Sequence, residues 1–197
     1  VVLEENVLRQ RTTQDISTNG GSFDIMFIGA YEAPIWGANG GLAPLNDFAD
    51  DPDYDLNDIF QLVRNGLSDA DGNLYAVPLY SETSFTFYRT DLFEKAGLEA
   101  PTEQITYTEF AEMAAKLHDP DNGVYGTCQR GKAGWGEKMA FIGPLANAFC
   151  ARLFDMDWNP QLDSHEWNAA VTYFVDLMNA SGPPGATANG HNENRAL

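Results

Sequence analysis

The chain has 197 residues, 44% of them hydrophobic, which is enough to bury a core and allows one or two domains. Its 29 acidic against 11 basic residues give a net charge of −18; this argues against a nucleic-acid partner, because phosphate binding needs clustered Lys and Arg, and reads most simply as a solvated acidic surface. No apolar run reaches the roughly 18 residues that a membrane span needs, and the sequence does not open on a charged, apolar and cleavable leader.

In chain order, Val1 to Leu3 reads as the end of a strand and Glu4 to Ile16 as a helix with Val7, Leu8 and Ile16 on one side, stopped by Gly20-Gly21. Phe23 to Ile28, FDIMFI, is a short apolar run that fits a strand buried on both faces of a parallel sheet, so the start reads as a βαβ unit. The glycine-rich stretch Gly29 to Gly41 then reads as a loop carrying Tyr31, Glu32 and Trp36. In open α/β sheets ligands bind beyond the carboxyl ends of strands, where such a loop lies. A lone Trp36 equally suits a cap on the core.

Asp51, Asp53 and Asp55, and again Asp69, Asp71 and Asn73, alternate as calcium loops do. Neither fits an EF-hand, because positions six and twelve hold Leu56 and Leu62 in the first and Leu74 and Tyr80 in the second. Both read as turns and helix caps. Between them Leu56, Ile59, Phe60, Val63 and Leu67 make a helical stripe.

Leu74 to Phe93 reads as a strand with a polar break, Glu82-Thr83-Ser84, before the alternation of Phe85, Phe87 and Tyr88. Glu82 belongs either in a wet cleft or on the open face of an edge strand. Asp91 to Ala96 is a short helix stopped by Gly97. Thr106 with Glu109 makes a capping box for a helix to Leu117, and Val124 to Cys128 reads as a strand leading into Gln129 to Glu137. Trp135 in that loop suits either a ligand face or a packing anchor among glycines. Lys138 to Arg152 is an apolar helix with Gly143-Pro144 inside it, and Ser164 caps a helix through Asn179 whose stripe makes Trp167 a core residue. Trp158 lies in a turn after two aspartates, and Gly182 to Leu197 reads by itself as a loop or a disordered end. Cys128 and Cys150 lack metal spacing; they form one bridge in an oxidising compartment or, the favoured reading, stay as buried thiols.

Catalytic motifs are missing. There is no G-x-S-x-G or S-x-x-K, His165-Glu166 meets Ala169 where a zinc motif needs its second His, and Gly131, Gly134 and Gly136 break the G-x-G-x-x-G order. A glycoside hydrolase using two of Glu32, Glu82 and Glu137 survives as an alternative. So does a plain acidic interaction domain.

Tyr75-Ala76-Val77-Pro78, Tyr88-Arg89-Thr90-Asp91-Leu92-Phe93, Ala96-Gly97-Leu98 and Pro101 together resemble the first interlobe crossover of the family 1 extracellular solute-binding proteins, the substrate receptors of ABC importers. Pro34 to Phe48, PIWGANGGLAPLNDF, narrows the likeness to the sorbitol and mannitol receptors. The resemblance implies a type II periplasmic-binding-protein-like α/β fold, with a partial N-lobe over 1–80, a hinge or crossover strand over 81–92 and a partial C-lobe over 93–197, incomplete at both ends. It implies a sugar alcohol or sugar held between the lobes, permease subunits as partners, a periplasmic or extracellular location and no cofactor. By that likeness Tyr31, Glu32 and Trp36 face the ligand from the N-lobe, Glu82 from the hinge, and Arg130, Trp135, Glu137, Trp158 and Asn192 from the C-lobe. The chain departs from the family at Phe149-Cys150-Ala151, where a Phe-Gly-Gly type ending is usual.

Overall fold

A computed structural model describes residues 2–134 and 136–196, with side chains through 194. The chain divides into two compact units, Val1–Thr83 and Ser84–Leu197.

In the first unit, α1 (Glu5–Thr18) starts at Glu4, whose carboxylate accepts from the Val7 amide, and ends at Asn19 in the left-handed conformation, φ 51°. The helix is not the apolar-faced one expected: it buries Arg9 and Thr12, while Val7 is exposed. The glycine-rich stretch expected to be a loop contains a helix, α2 (Glu32–Ala38). Pro34 is its third residue, where the missing N–H would have had no partner within the helix. Gly37 lets α2 lie against Tyr75, because a Cβ there would stand 2.3 Å from the ring.

The expected stripe from Leu56 to Leu67 is split into a 3-10 turn, Leu56–Asp58, and α4 (Gln61–Gly66), after the single turn of α3 (Asn46–Ala49). Of that stripe Leu67 is buried and Phe60 is 81% exposed. The core is Ala33, Ala49, Leu67 and Leu74, with Ile28, Val63 and Tyr75 packed on it.

The second unit opens with α5 (Thr90–Ala96), ended as expected by Gly97 at φ 64°. The capping box holds at α6 (Tyr107–Leu117): the Thr106 hydroxyl accepts from the Glu109 amide, and the Thr106 amide donates to Glu109. The α7 helix (Met139–Ala148) carries Pro144 inside it and packs on α8 (His165–Ser181). Ile142, Leu145, Ala146, Trp167 and Ala170 form the core, with Tyr107, Phe141 and Tyr173 around it. Trp167 is in the core as expected, its indole N–H donating to the Arg152 carbonyl at 2.6 Å.

Cys150 resolves the departure noted above. It takes the left-handed conformation itself, φ 60°, and the Ala151 amide closes on the Ala146 carbonyl at 2.9 Å. The turn keeps its glycine-type geometry without the glycine. Both cysteines are free and exposed, which corrects the expectation of buried thiols.

Among the described residues the tail holds helical turns. A 3-10 turn, Ala186–Ala188, leads to α9 (His191–Ala196), in place of the loop or disordered end expected from composition.

The two units share one local device. Asp69 accepts from the amides of Asp71 and Asn73 and from the Asn73 side chain, and Tyr75 donates to it; Asp155 accepts in the same order from Asp157, Asn159 and Gln161. These bonds, the Asn side chain first, hold both carboxyls below their usual range. Each aspartate closes a tight turn beside a single antiparallel bridge, Ser68 with Leu74 and Phe154 with Pro160. The fourth position is left-handed in both, Gly72 at φ 85° and Trp158 at φ 63°.

The strands expected at 23–28, 74–88 and 124–128 do not form ladders. Among the described residues β pairing is limited to those two bridges and one between Asp119 and Val124. An alternating apolar pattern states which side chains favour burial, but a strand exists only where a neighbour supplies the opposite donors and acceptors. Residues 76–88 make no backbone hydrogen bond among the described residues, and Phe85 and Phe87 are 74% and 92% exposed.

Candidate functional site

Six of the nine expected ligand residues fall into one cluster in each unit, Tyr31, Glu32 and Trp36 in the first and Arg130, Glu137 and Asn192 in the second. In the first, Tyr31 sits at the N-cap of α2 and is 55% exposed, and Trp36 is half-buried on the same helix. Glu32 is only 4% exposed. Its Oε2 accepts from the Gly29 amide at 2.5 Å and from Arg9 Nη1 at 3.1 Å, and the same Arg9 nitrogen donates to the Phe27 carbonyl. Glu32 is therefore engaged within the unit, tying α1 and residues 27–29 to the start of α2, and it positions the corner that presents Tyr31. Sequence reasoning missed Arg9. The only available signal was a cation in a helix whose neighbours at i+3 and i−4 are Thr12 and Glu5.

Glu82, the candidate between the aromatic runs, is exposed and makes no hydrogen bond among the described residues.

In the second unit the loop after residue 128 is laid against the tail. The amides of Gly131 and Lys132 both donate to the Asn189 carbonyl, at 3.0 and 3.1 Å. Gly131 permits this approach, since a Cβ there would stand 2.3 Å from the Ala186 carbonyl oxygen. The Cys128 thiol donates to Asn194 at 3.3 Å, and desolvation raises its pKa.

Arg130 lies 2.9 Å from the Nδ1 of His191. Glu137 is 8% exposed, and its Oε2 is buried with no hydrogen-bond partner among the described residues. Asn192 is exposed on α9. These three candidates gather around residues 189–192, a grouping that sequence spacing did not show.

Trp135 lies outside the described residues. Trp158 is 78% exposed, tilted against Phe154 with ring centroids 5.6 Å apart. An exposed tryptophan in a left-handed conformation is strained, and such strain concentrates at functional positions.

A groove of about 660 Å³ opens in the second unit between residues 84–89 and the α6 face bearing Phe110, Met113 and Leu117. Cys128, Gln129 and Asn194 reach it; Arg130, Glu137 and Asn192 do not line it. Groups of three or more His, Cys, Asp or Glu able to hold a metal do not occur among the described residues.

Chemically, the second-unit cluster offers a guanidinium, which only donates, and a carboxylate, which only accepts when ionised. A hydroxyl does both, so the set suits a polyhydroxylated neutral molecule.

Known proteins place this geometry in context. A mannitol-binding protein of Pseudomonas aeruginosa is 56% identical over all 197 residues, which make up 44% of its length. An ABC transporter solute-binding protein of Agrobacterium vitis, solved with bound D-mannitol, superposes with a TM-score of 0.92 at 54% identity, over the whole chain and 47% of its own. A second, from Agrobacterium radiobacter in complex with ribitol, gives a TM-score of 0.77 at 27% identity, over 98% of this chain and 48% of its own. The chain thus spans about half the length of the relatives it matches. Its fold class is theirs, the α/β type II periplasmic solute-binding fold, although the strand positions within these residues are unladdered. The family profile described as bacterial extracellular solute-binding protein matches residues 1–197, and the chain belongs to that family.

Proposed function

We propose that the chain is part of a receptor that binds an acyclic sugar alcohol, mannitol or a close hexitol, outside the cytoplasmic membrane and delivers it unchanged to the permease of an ABC importer. The observation that carries this reading is the 56% identity, over all 197 residues, to a mannitol-binding protein. The likeness to the mannitol-bound structure supports it.

The chemistry agrees. A hexitol presents a hydroxyl on every carbon and a C–H edge between them. Arg130 donates to hydroxyl oxygens, Glu137 accepts from hydroxyl hydrogens, and Tyr31, Trp36, Trp135 and Trp158 supply apolar faces. Asn192 and Glu82 add polar contacts. Glu32 contributes by holding the Tyr31 corner.

The test is thermal unfolding and titration calorimetry with mannitol, sorbitol, ribitol, glucose and maltose. A ligand present at 100 times its Kd stabilises by about 2.7 kcal/mol. A rise in midpoint confined to the alditols, with the ligand recovered chemically unchanged, supports the receptor reading. A flat panel from cooperatively folded protein refutes it for this chain, and turnover of a glycoside would favour the hydrolase.

A further inference from the structure

Residues 189–191 contact the second-unit loop at three consecutive positions. Asn189 accepts from the Gly131 and Lys132 amides, Gly190 abuts Glu137, and His191 meets Arg130. At Gly190 an added Cβ would stand 2.9 Å from both oxygens of the Glu137 carboxylate. The absence of that side chain gives the carboxylate its place. Its Oε2 is buried there with no donor among the described residues, an arrangement that is costly to leave unmet.

One residue on, Nδ1 of His191 lies 2.9 Å from Arg130 Nη2. A guanidinium has no acceptor, so Nδ1 must be the acceptor. The ring in this contact is therefore neutral, with its proton on Nε2. The contact occupies one of the five guanidinium donors and fixes the direction of the rest.

We infer that Gly190 and His191 are the positioning pair of a subsite for two hydroxyls of one polyol. Glu137 Oε2 accepts from one hydroxyl, and Arg130, steadied by His191, donates to another. A molecule with several hydroxyls satisfies the orphan acceptor and the remaining guanidinium donors together; a lone alcohol satisfies one of them. The inference rests on the polyol reading above and adds to it two residues that neither composition nor motif spacing marked.

The experiment is mannitol titration of the wild-type chain, His191→Phe and His191→Asn, with Gly190→Ala beside them. Asn places an amide oxygen near the position of Nδ1 and can accept from Arg130; Phe keeps a ring and accepts nothing. His191→Phe is expected to weaken mannitol binding about tenfold, the order of one charge-assisted hydrogen bond, with His191→Asn restored to within about threefold of wild type. Gly190→Ala is expected to weaken binding by displacing Glu137. Ligand-free unfolding midpoints of both His191 variants should match wild type, which separates positioning from folding.

Mannitol affinity unchanged in His191→Phe, or an equal loss in Phe and Asn variants, overturns the inference while leaving the polyol reading intact. A wild-type chain that binds no alditol overturns both.

Discussion

The Arg9–Glu32 pair allows a sharp test of how the first unit holds the corner at Tyr31. The side chains are 9% and 4% exposed, and the contact is 3.1 Å. Two charges that close attract by roughly 4 kcal/mol at the effective dielectric of a protein, but most of this is offset by removing both from water. Removing one partner leaves the other charge buried without its counterpart, at a cost of about 3–5 kcal/mol. Glu32→Gln should sit at the lower end, because the amide oxygen still accepts from the Gly29 N–H. Arg9→Met should cost more, since the carboxylate keeps only that one donor among the described residues. The double variant Arg9→Met with Glu32→Gln contains no buried charge from this pair and should lose about 0.5–3 kcal/mol less than the sum of the singles, the range of a coupled pair. Urea unfolding followed by circular dichroism, with midpoints compared at constant m, measures all four corners. Glu5→Gln is the control: that pair is 3.5 Å long and its carboxylate is 49% exposed, so it should cost less than about 0.5 kcal/mol. Additivity within about 0.5 kcal/mol for Arg9 and Glu32 would refute the argument and return Glu32 to the list of groups free to meet a ligand.

Cys150→Gly should stabilise the second unit by about 0.5–1 kcal/mol, the left-handed penalty of an exposed side chain less the extra chain entropy of glycine, and raise the midpoint by about 2 °C; a lower midpoint refutes the account of that turn. Trp158→Gly relieves the same strain at the other left-handed position, so stability should rise while mannitol affinity falls; unaltered affinity by calorimetry removes Trp158 from the site. Tyr173, whose hydroxyl donates to the Tyr107 carbonyl, has its pKa pushed up to about 12 by burial and by neighbouring Tyr107. Above pH 10 the unfolded chain gives up that proton while the folded one keeps it, so stability is complete below pH 10 and declines as pH rises towards 12. Tyr173→Phe should flatten that decline in urea midpoints between pH 9 and 11.5, and an unchanged slope would show that Tyr173 is not its source.

What could be read from the sequence was whatever is decided within a few residues. The capping box at Thr106 and Glu109, the stop at Gly97 and the Trp167 stripe are local devices, and each is where its spacing put it. The α2 helix was hidden by the four glycines and one proline of residues 29–41, because composition weighs them equally, whereas Pro34 sits where a helix tolerates it and Gly37 is required by Tyr75. The patterns at 23–28 and 74–88 were legible as apolar but not as strands, since their ladder partners are not determined by their own side chains. The candidate residues divide similarly. Tyr31, Arg130 and Glu137 carry chemistry visible in their type, but the burial of Glu32 by Arg9 and the meeting of Arg130 with His191 depend on contacts 23 and 61 residues apart in the chain.

Residues 76–88 have a further consequence. Thirteen consecutive residues lack a hydrogen-bonded partner for any amide among the described residues, and several carry large exposed apolar side chains. Such amides exchange with solvent at close to the rate of an unstructured peptide, while those of α6 and α8 exchange only through larger openings of the fold. Leu79, Tyr80, Phe85 and Phe87 are also residues that chymotrypsin-like proteases accept, on a backbone free to enter a protease cleft in extended form. Limited digestion should therefore cut here first and release two products corresponding closely to the two compact units. Anything that pairs with this backbone would announce itself by slowing both exchange and cleavage.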